Sequence, residues 1–265
     1  MSKERNLTTF ERKEVKYSLT EEQYRLFLEM TEDLLEPDAL FPHSQILNVY
    51  YDTENDDLVL RSMAKPVYKE KLRVRSYGVP GKNSQVFVEI KKKYDGIVYK
   101  RRSTMGYREA ERFLKNGIMP EKDSQINREL DYFRKLYHPQ PAMVLCYDRD
   151  SYQGRFDPDF RLTIDKNLRF RETDLDLTQG DWGEPVDPNV KYLMELKAGD
   201  SLPLEIVRIL SQLKIYPTSF SKYGRAYTLS CQRAYSRQRK AAVQRNTLPT
   251  NETYRAGEKY VYQYS

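Results

Sequence analysis

One segment of the chain limits the possible folds more than any other. Residues 67–77 read VYKEKLRVRSY, with a cation at every second position from 69 to 75. Side chains alternate between the faces of a β-strand, so residues two apart share a face at a spacing of about 6.6–6.8 Å. The pattern predicts a strand with one apolar face and one cationic row, formed by Lys69, Lys71, Arg73 and Arg75. Four like charges in a row repel one another, most strongly in a partly dry site, and favour a bound anion.

Other segments alternate in the same way and predict an antiparallel sheet. Strands are expected at residues 10–19, 46–52, 67–77, 85–93, 97–103, 141–152, 160–170 and 190–197. Helices are expected at residues 20–35, 107–116, 123–137, 202–213 and 220–241, with a helix or turn at 56–61. Thr20 and Gln23 fit a capping box, and Gly117 fits the residue after a helix end. Hairpins with helices inserted between them indicate one α+β domain built on an antiparallel sheet.

No linker divides the chain, and no repeat of 20–50 residues is apparent. We therefore expect a single domain over residues 1–245, followed by a C-terminal tail over residues 246–265.

The composition excludes several classes of function. The two histidines, His43 and His138, each lie beside a proline, so a Ser-His-Asp or Cys-His mechanism is not expected. The two cysteines, Cys146 and Cys231, form no CxxC pair, which argues against a disulfide framework and a structural zinc site. Mean hydropathy is −0.82, and we expect no membrane segment and no secretory signal in this chain. These features predict a cytoplasmic protein.

The positive charge is concentrated in two blocks on an acidic background. Residues 61–102 hold thirteen lysines and arginines against three acidic residues, and residues 221–245 hold seven against none. The net charge of the whole chain is only +6. Such blocks predict a polyanionic ligand, for which nucleic acid, an anionic membrane and phosphate chains are all candidates at this point.

An ordinary sheet with one wet face would also alternate, but a wet face usually mixes signs or uses uncharged polar residues. If the sheet closes into a barrel with its charged faces inward, it encloses a basic tunnel suited to a chain of negative charges. The isolated glutamates of these strands, Glu14, Glu89 and Glu195, then fit ligands of a divalent cation carried by the anion.

Seven short motifs in order carry a resemblance to a known family. They are KEVKY at 13–17, KLRVRSYG at 71–78, VEIK at 88–91, CYDR at 146–149, RLTID at 161–165, MELK at 194–197 and FSKYG at 220–224. Together they resemble the VTC domain, the polyphosphate polymerase domain of the vacuolar transporter chaperone complex and its prokaryotic relatives, within the CYTH-like triphosphate tunnel metalloenzymes. The resemblance implies an α+β fold, an antiparallel tunnel barrel of about eight strands with helices packed on the outside.

The resemblance also implies a function and a site. VTC domains transfer the γ-phosphoryl of ATP to a growing polyphosphate chain with Mn²⁺ or Mg²⁺, so the expected partners are ATP and inorganic polyphosphate rather than nucleic acid. The implied catalytic, phosphate-holding residues are Lys16, Arg73, Arg75, Lys91, Arg149, Arg161 and Lys222. Substrate contacts are expected from Lys71, Lys100, Arg102 and Lys197, although the register of residues 100–102 is open. Glu195 is the metal ligand that the resemblance implies, and Glu14 and Glu89 remain metal-ligand candidates from the strand pattern. No SPX-like region is expected before residue 10.

Two other functions remain open. A tunnel triphosphatase would pass the phosphoryl group to water, but its ExExK start is imperfect here because Arg12 replaces the first glutamate. A non-catalytic binder of polyanions could stack bases on aromatic residues. Tyr68, however, is expected on the face opposite the cations of its own strand, where such stacking is poor.

Overall fold

The computed structural model describes residues 13–199 and 201–244. Its strands are β1 Lys13–Leu19, β2 Leu35–Pro37, β3 His43–Asp52, β4 Tyr68–Tyr77, β5 Gln85–Tyr94, β6 Ile97–Gly106, β7 Gln140–Gly154, β8 Arg161–Arg171, β9 Glu184–Pro185 and β10 Tyr192–Ala198. Its helices are α1 Glu21–Met30, α2 Asp57–Met63, α3 Tyr107–Asn116, α4 Gln125–Tyr137, α5 Leu204–Gln212 and α6 Lys222–Gln244, with a 3₁₀ turn at Leu177–Gln179. The start of the first predicted strand and the predicted tail at 246–265 lie outside the described residues.

All ten strands belong to one sheet, and its pairs are antiparallel. The order is β1-β10-β8-β7-β3-β4-β5-β6, with β2 added to β7 and β9 added to β8. Within the part of the chain that the structure describes, β1 and β6 end this path and do not pair with each other, so the sheet is curled rather than closed. Both end strands carry cations, Lys16 on β1 and Lys100 to Arg102 on β6, as edge strands often do, and an isolated bridge joins Tyr17 of β1 to Pro217.

Four helices cover the outside of the curled sheet, as predicted. Helices α3 and α4 bury Phe113 and Phe133 against the β3–β7 side, together with Val74 and Val88. Helices α1 and α5 bury other apolar residues, such as Phe27, against the β1, β10 and β8 side. These two apolar layers hold the outer face dry, so the opposite face of each strand is left to line the inside.

Helix α6 departs from the expectation that helices pack outside. Tyr223 and Ala226 of α6 pack with Tyr50 of β3 and Leu145 of β7, which lie on the inner side of the sheet. The inner face is apolar at this end. The first turns of α6 cover it, so it is not exposed to solvent. Alternation along a single strand does not show whether an apolar residue packs in the outer core or against a helix inside the curl. The sequence therefore did not predict the inner position of α6.

Most predicted element bounds are confirmed within a few residues. The Thr20–Gln23 capping box is present, with distances of 3.1 Å and 3.0 Å, and Gly117 has φ 71° after α3. The predicted helix over residues 20–35 was too long. It ends at Met30, and the Thr31 hydroxyl donates back to the Phe27 carbonyl oxygen at 2.7 Å. The short strands β2 and β9 were missed because two or three residues show no alternation.

Candidate functional site

Strand register places the cationic rows of β4, β5 and β6 on one shared face. Directly opposite residues of paired antiparallel strands share a face. Arg73 is opposite Glu89, which is opposite Arg102, and Lys71 is opposite Lys91, which is opposite Lys100. The open register at residues 100–102 is thereby settled. Lys100 and Arg102 face inward, while Arg101 faces outward and lies 3.5 Å from Glu129 of α4.

The second wall of the lumen comes from β1, β10, β8 and β7. Lys16 is opposite Glu195, and Glu14 is opposite Lys197, which is opposite Arg161. On β7 and β8, Arg149 is opposite Asp165. Just after this pair, β8 has a bulge of one extra residue near Asn167, which has φ 52°. Because of the bulge, Asp165 and Leu168 both lie on the inner face of the sheet although they are three positions apart.

The start of α6 joins the two walls. The Lys222 Nζ lies 2.6 Å from an Asp165 carboxylate oxygen and 3.1 Å from Glu195 Oε1. The neighbouring Ser221 hydroxyl accepts a hydrogen bond from Lys71 of β4 at 3.0 Å. The Phe220 carbonyl oxygen accepts one from Lys16 of β1 at 3.2 Å. The cationic rows of distant strands therefore converge on one lumen, as the sequence predicted.

Glu89 is the centre of the cationic cluster on the β4–β6 wall. Its carboxylate is 1% exposed and lies 2.7 Å from Arg73, 2.6 Å from Arg102, 3.0 Å from Lys100 and 3.9 Å from Arg75. Burial alone would raise the pKa of Glu89, but the surrounding cations outweigh burial and hold it well below its usual range. Glu89 is thus ionised and holds these side chains in place.

A second ionic cluster surrounds Lys222 on the opposite wall. Arg149 donates two hydrogen bonds to Asp165, at 2.6 Å and 2.9 Å. Burial favours neutral forms, but Lys222 holds the pKa of both Asp165 and Glu195 below the usual range, and these carboxylates in turn raise the pKa of Lys222. All members of the cluster are therefore charged at neutral pH.

Three lumen residues were missed by the sequence analysis as site residues. Asn48 Oδ1 accepts a hydrogen bond from Arg75 at 2.9 Å, and the hydroxyl of Tyr147 contacts the same guanidinium at 3.2 Å. The Tyr50 hydroxyl contacts Arg73 at 3.2 Å. Asn48 and Tyr50 are two residues apart on β3. Alternation of polar side chains, and not of cations alone, would have indicated these two.

Two of the predicted residues lie at the rim of the lumen, although Lys100 and Arg102 elsewhere on its wall are also exposed. Arg161 is exposed, and Lys197 lies 3.8 Å from Glu14 and 3.9 Å from Glu195. These two cations lie at the end of the lumen away from α6. Their predicted roles as phosphate-binding residues stay predictions.

The carboxylates differ in how well they fit a metal. Glu14 and Glu195 both approach Lys16, at 3.5 Å and 3.6 Å, so two carboxylates face the same part of the lumen. The described residues hold no group of three or more metal-ligating side chains. Two carboxylates suffice for Mg²⁺ or Mn²⁺ when phosphate oxygens and water complete the shell. Glu89, enclosed by cations, fits a metal poorly, and its predicted metal role stays a prediction.

A pair of neighbouring arginines tests the inward register directly. We expect Arg102→Ala to weaken tripolyphosphate binding by about ten- to hundredfold, since a charge-assisted phosphate contact contributes roughly 1.5–3 kcal/mol. Arg101→Ala should leave binding unchanged, because Arg101 faces α4 on the outside. Isothermal titration of both variants measures the difference. Equal losses in the two variants would contradict the assigned face.

Two inner lysines predict a pH dependence. Burial lowers the pKa of Lys71 and of Lys100 to about 8 each. Both are charged below pH 8 and lose that charge above it, so anion affinity falls as pH rises. Between pH 7 and pH 9 we expect about tenfold weaker tripolyphosphate binding from Lys71 and a smaller loss from Lys100, whose side chain is 42% exposed and screened by solvent. A Lys71→Arg, Lys100→Arg variant stays charged at both positions and should show a much shallower profile. Parallel profiles for the two proteins would contradict the assignment.

The family of the chain follows from a comparison with family models. The model of the VTC domain matches residues 11–231, which is most of the chain. The chain belongs to the VTC domain family. It is therefore a triphosphate tunnel protein, and the curled sheet with its charged inner face is the tunnel wall. No described helix is long and apolar enough to cross a membrane.

Several solved structures are similar to this VTC domain at low identity. A candidate adenylate cyclase of Bacillus halodurans has 15% identity over 78% of this chain and 92% of that chain, with a TM-score of 0.49. One of Vibrio parahaemolyticus has 12% identity over 83% and 98%, with a TM-score of 0.45. A candidate adenylyl cyclase of Hippeastrum, described as having a dominant triphosphatase activity, has 14% identity over 89% and 97%, with a TM-score of 0.45. No curated protein matches the chain.

Proposed function

We propose that this VTC domain is a polyphosphate polymerase that transfers the γ-phosphoryl group of ATP to a growing inorganic polyphosphate chain. The observation that carries the proposal is the lumen itself, where cations from two walls and one helix converge while the buried carboxylates are already ion-paired. Such a lumen suits a long chain of negative charges. The inward cations include Lys16, Lys71, Arg73, Arg75, Lys91, Lys100, Arg102, Arg149, Arg161, Lys197 and Lys222.

The lysines of the lumen favour a ligand of high charge. Burial lowers the pKa of the half-buried Lys71 and, although they are more exposed, those of Lys91 and Lys100, because the nearby anions do not offset their loss of hydration. A bound phosphate chain would supply those anions. Arginine adds bidentate contacts to phosphate oxygens, and Arg73 and Arg75 are spaced to hold successive phosphates of one chain.

The ionisation of the carboxylates favours a phosphate acceptor over water. A general base works best when its pKa lies near the operating pH. Neighbouring cations hold the pKa values of Glu195, Asp165 and Glu89 below their usual range, so these groups are weak bases at neutral pH. A terminal phosphate oxygen is already anionic and needs no such base, whereas water does.

Phosphoryl transfer depends mainly on positioning and on charge stabilisation. Lys222, fixed by two carboxylates at the junction of both walls, lies where it can stabilise charge on the transferred group. Lys16 and Lys91 approach the same region from opposite walls. Glu195, with Glu14, would hold Mg²⁺ or Mn²⁺, which offsets phosphate charge and orients the triphosphate. A cytoplasmic location stays a prediction.

One assay tests the proposal against both alternatives. Purified protein is incubated with ATP and Mn²⁺, and the products are separated on a gel stained for long phosphate chains, with orthophosphate measured in parallel. Long chains support the polymerase. Orthophosphate alone would show a triphosphatase, and no turnover with tight polyphosphate binding would show a non-catalytic binder.

A further inference from the structure

Three aromatic rings lie at the end of the lumen away from α6, and the proposed chemistry does not use them. Phe41 and Tyr77 stack with ring centroids 6.5 Å apart and an angle of 28° between their planes. Tyr77 meets Phe87 edge to face at 5.7 Å. We call Phe41, Tyr77 and Phe87 the aromatic platform. Phe41 is 64% exposed and Tyr77 is 47% exposed, so the platform is open to a ligand.

The platform continues the phosphate-binding row. Tyr77 follows Arg73 and Arg75 on the inner face of β4, and Phe87 is directly opposite Arg75. The Arg102 guanidinium lies over the Phe87 ring at 4.5 Å from its centroid. Tyr77 is the next residue of this row, about 6.6–6.8 Å beyond Arg75. A group attached to the last phosphate that Arg75 and Arg102 hold therefore reaches the platform.

The loop that presents Phe41 is held in place. The backbone N–H groups of Leu40 and Phe41 donate to Asp38 Oδ1 at 3.1 Å and 2.9 Å. Asp38 and Pro42 in turn form backbone hydrogen bonds of 2.9 Å with Ser151 of β7. The backbone that carries the exposed ring thus has a fixed position, which lowers the entropy cost of binding a ligand.

Phosphate is the wrong ligand for these rings. The face of an aromatic ring carries partial negative charge, so it repels phosphate oxygens. A planar base stacks favourably on such rings whatever its identity. We propose that the aromatic platform is a subsite for the nucleobase of the nucleoside triphosphate donor, which orients the donor with its base at the rim and its terminal phosphate towards Lys222. This inference rests on the proposed use of a nucleotide donor.

The test compares two ligands that share a phosphate chain but differ in the base. Affinities of ATP and of inorganic tripolyphosphate are measured by isothermal titration with Mg²⁺ for the wild-type chain and for Phe41→Ala. We expect wild-type protein to bind ATP more tightly than tripolyphosphate when both are compared at equal charge. Phe41→Ala should weaken ATP binding by about five- to hundredfold, from stacking of roughly 1–3 kcal/mol per base. Tripolyphosphate affinity should change less than twofold.

Controls separate the subsite from folding and from the proposed function. Tyr132→Ala removes a ring of similar exposure from the outer helix α4 and should alter neither affinity. Phe41→Trp should retain ATP affinity, and GTP should bind about as well as ATP. Unchanged ATP affinity in Phe41→Ala, or equal losses for both ligands, would overturn the subsite while the polymerase proposal stands. Wild-type protein that binds neither ligand would overturn both.

Discussion

Replacing Arg75 with alanine is expected to lower the rate of ATP-dependent polyphosphate synthesis by about 10³-fold, the scale of an arginine that stabilises phosphoryl transfer. Arg75 is 6% exposed, and Asn48 and Tyr147 hold its guanidinium from two sides. Glu89 lies 3.9 Å from its Nε. Because these contacts fix the guanidinium before the ligand arrives, it can stabilise charge on the leaving diphosphate without rearrangement when the γ-phosphoryl group moves. Initial rates with ATP and Mn²⁺ measure the loss.

Two further variants distinguish this role from a loss of folding. Arg75→Lys keeps the charge but not the planar guanidinium, so we expect it to recover only part of the rate. Tyr147→Phe removes a single hydroxyl contact, and a drop of about tenfold is expected. Thermal unfolding midpoints close to that of the wild type show that each variant folds. A folded Arg75→Ala variant with more than half of the wild-type rate would contradict the site.

The cationic rows could be predicted from sequence because they depend on local geometry alone. Any strand with a cation at every second residue from Lys69 to Arg75 must carry them on one face. The register of β6 against β5 could also be predicted from the sequence. Asp95 and Gly96 have φ of 44° and 84°, typical of a two-residue hairpin turn. Such a turn pairs Tyr94 with Ile97 and therefore Glu89 with Arg102, as the structure has it.

The remaining parts of the site depend on contacts between distant segments. Glu89 has the sequence context of a metal ligand, and its enclosure by Arg73 and Arg102 appears only when three strands are paired. The position of α6 inside the curl depends on apolar residues from four strands, such as Tyr50 and Leu145, that meet only in the fold. Local alternation therefore predicts which residues line the lumen, while long-range packing decides which of them touch.

The second large effect is expected at Glu195. Glu195→Gln should lower the metal-supported rate of polyphosphate synthesis by about 10²- to 10³-fold, if this carboxylate helps to hold a metal that contributes several kcal/mol to the transition state. Glutamine keeps the size of the side chain and an oxygen that can accept from Lys222, which lies at 3.1 Å in the structure. The fold should therefore persist.

Binding without metal separates this role from simple damage to the site. Glu195 lies near Lys222, Lys16 and Lys197, and removal of its negative charge leaves these cations less compensated. In EDTA, Glu195→Gln should bind tripolyphosphate at least as tightly as the wild type, whereas added Mn²⁺ should no longer improve affinity. Glu129→Gln, on outer helix α4, is the matched control and should respond to Mn²⁺ normally. Weaker binding of Glu195→Gln in EDTA would show that Glu195 mainly positions the lysines, because a metal ligand is silent when no metal is present.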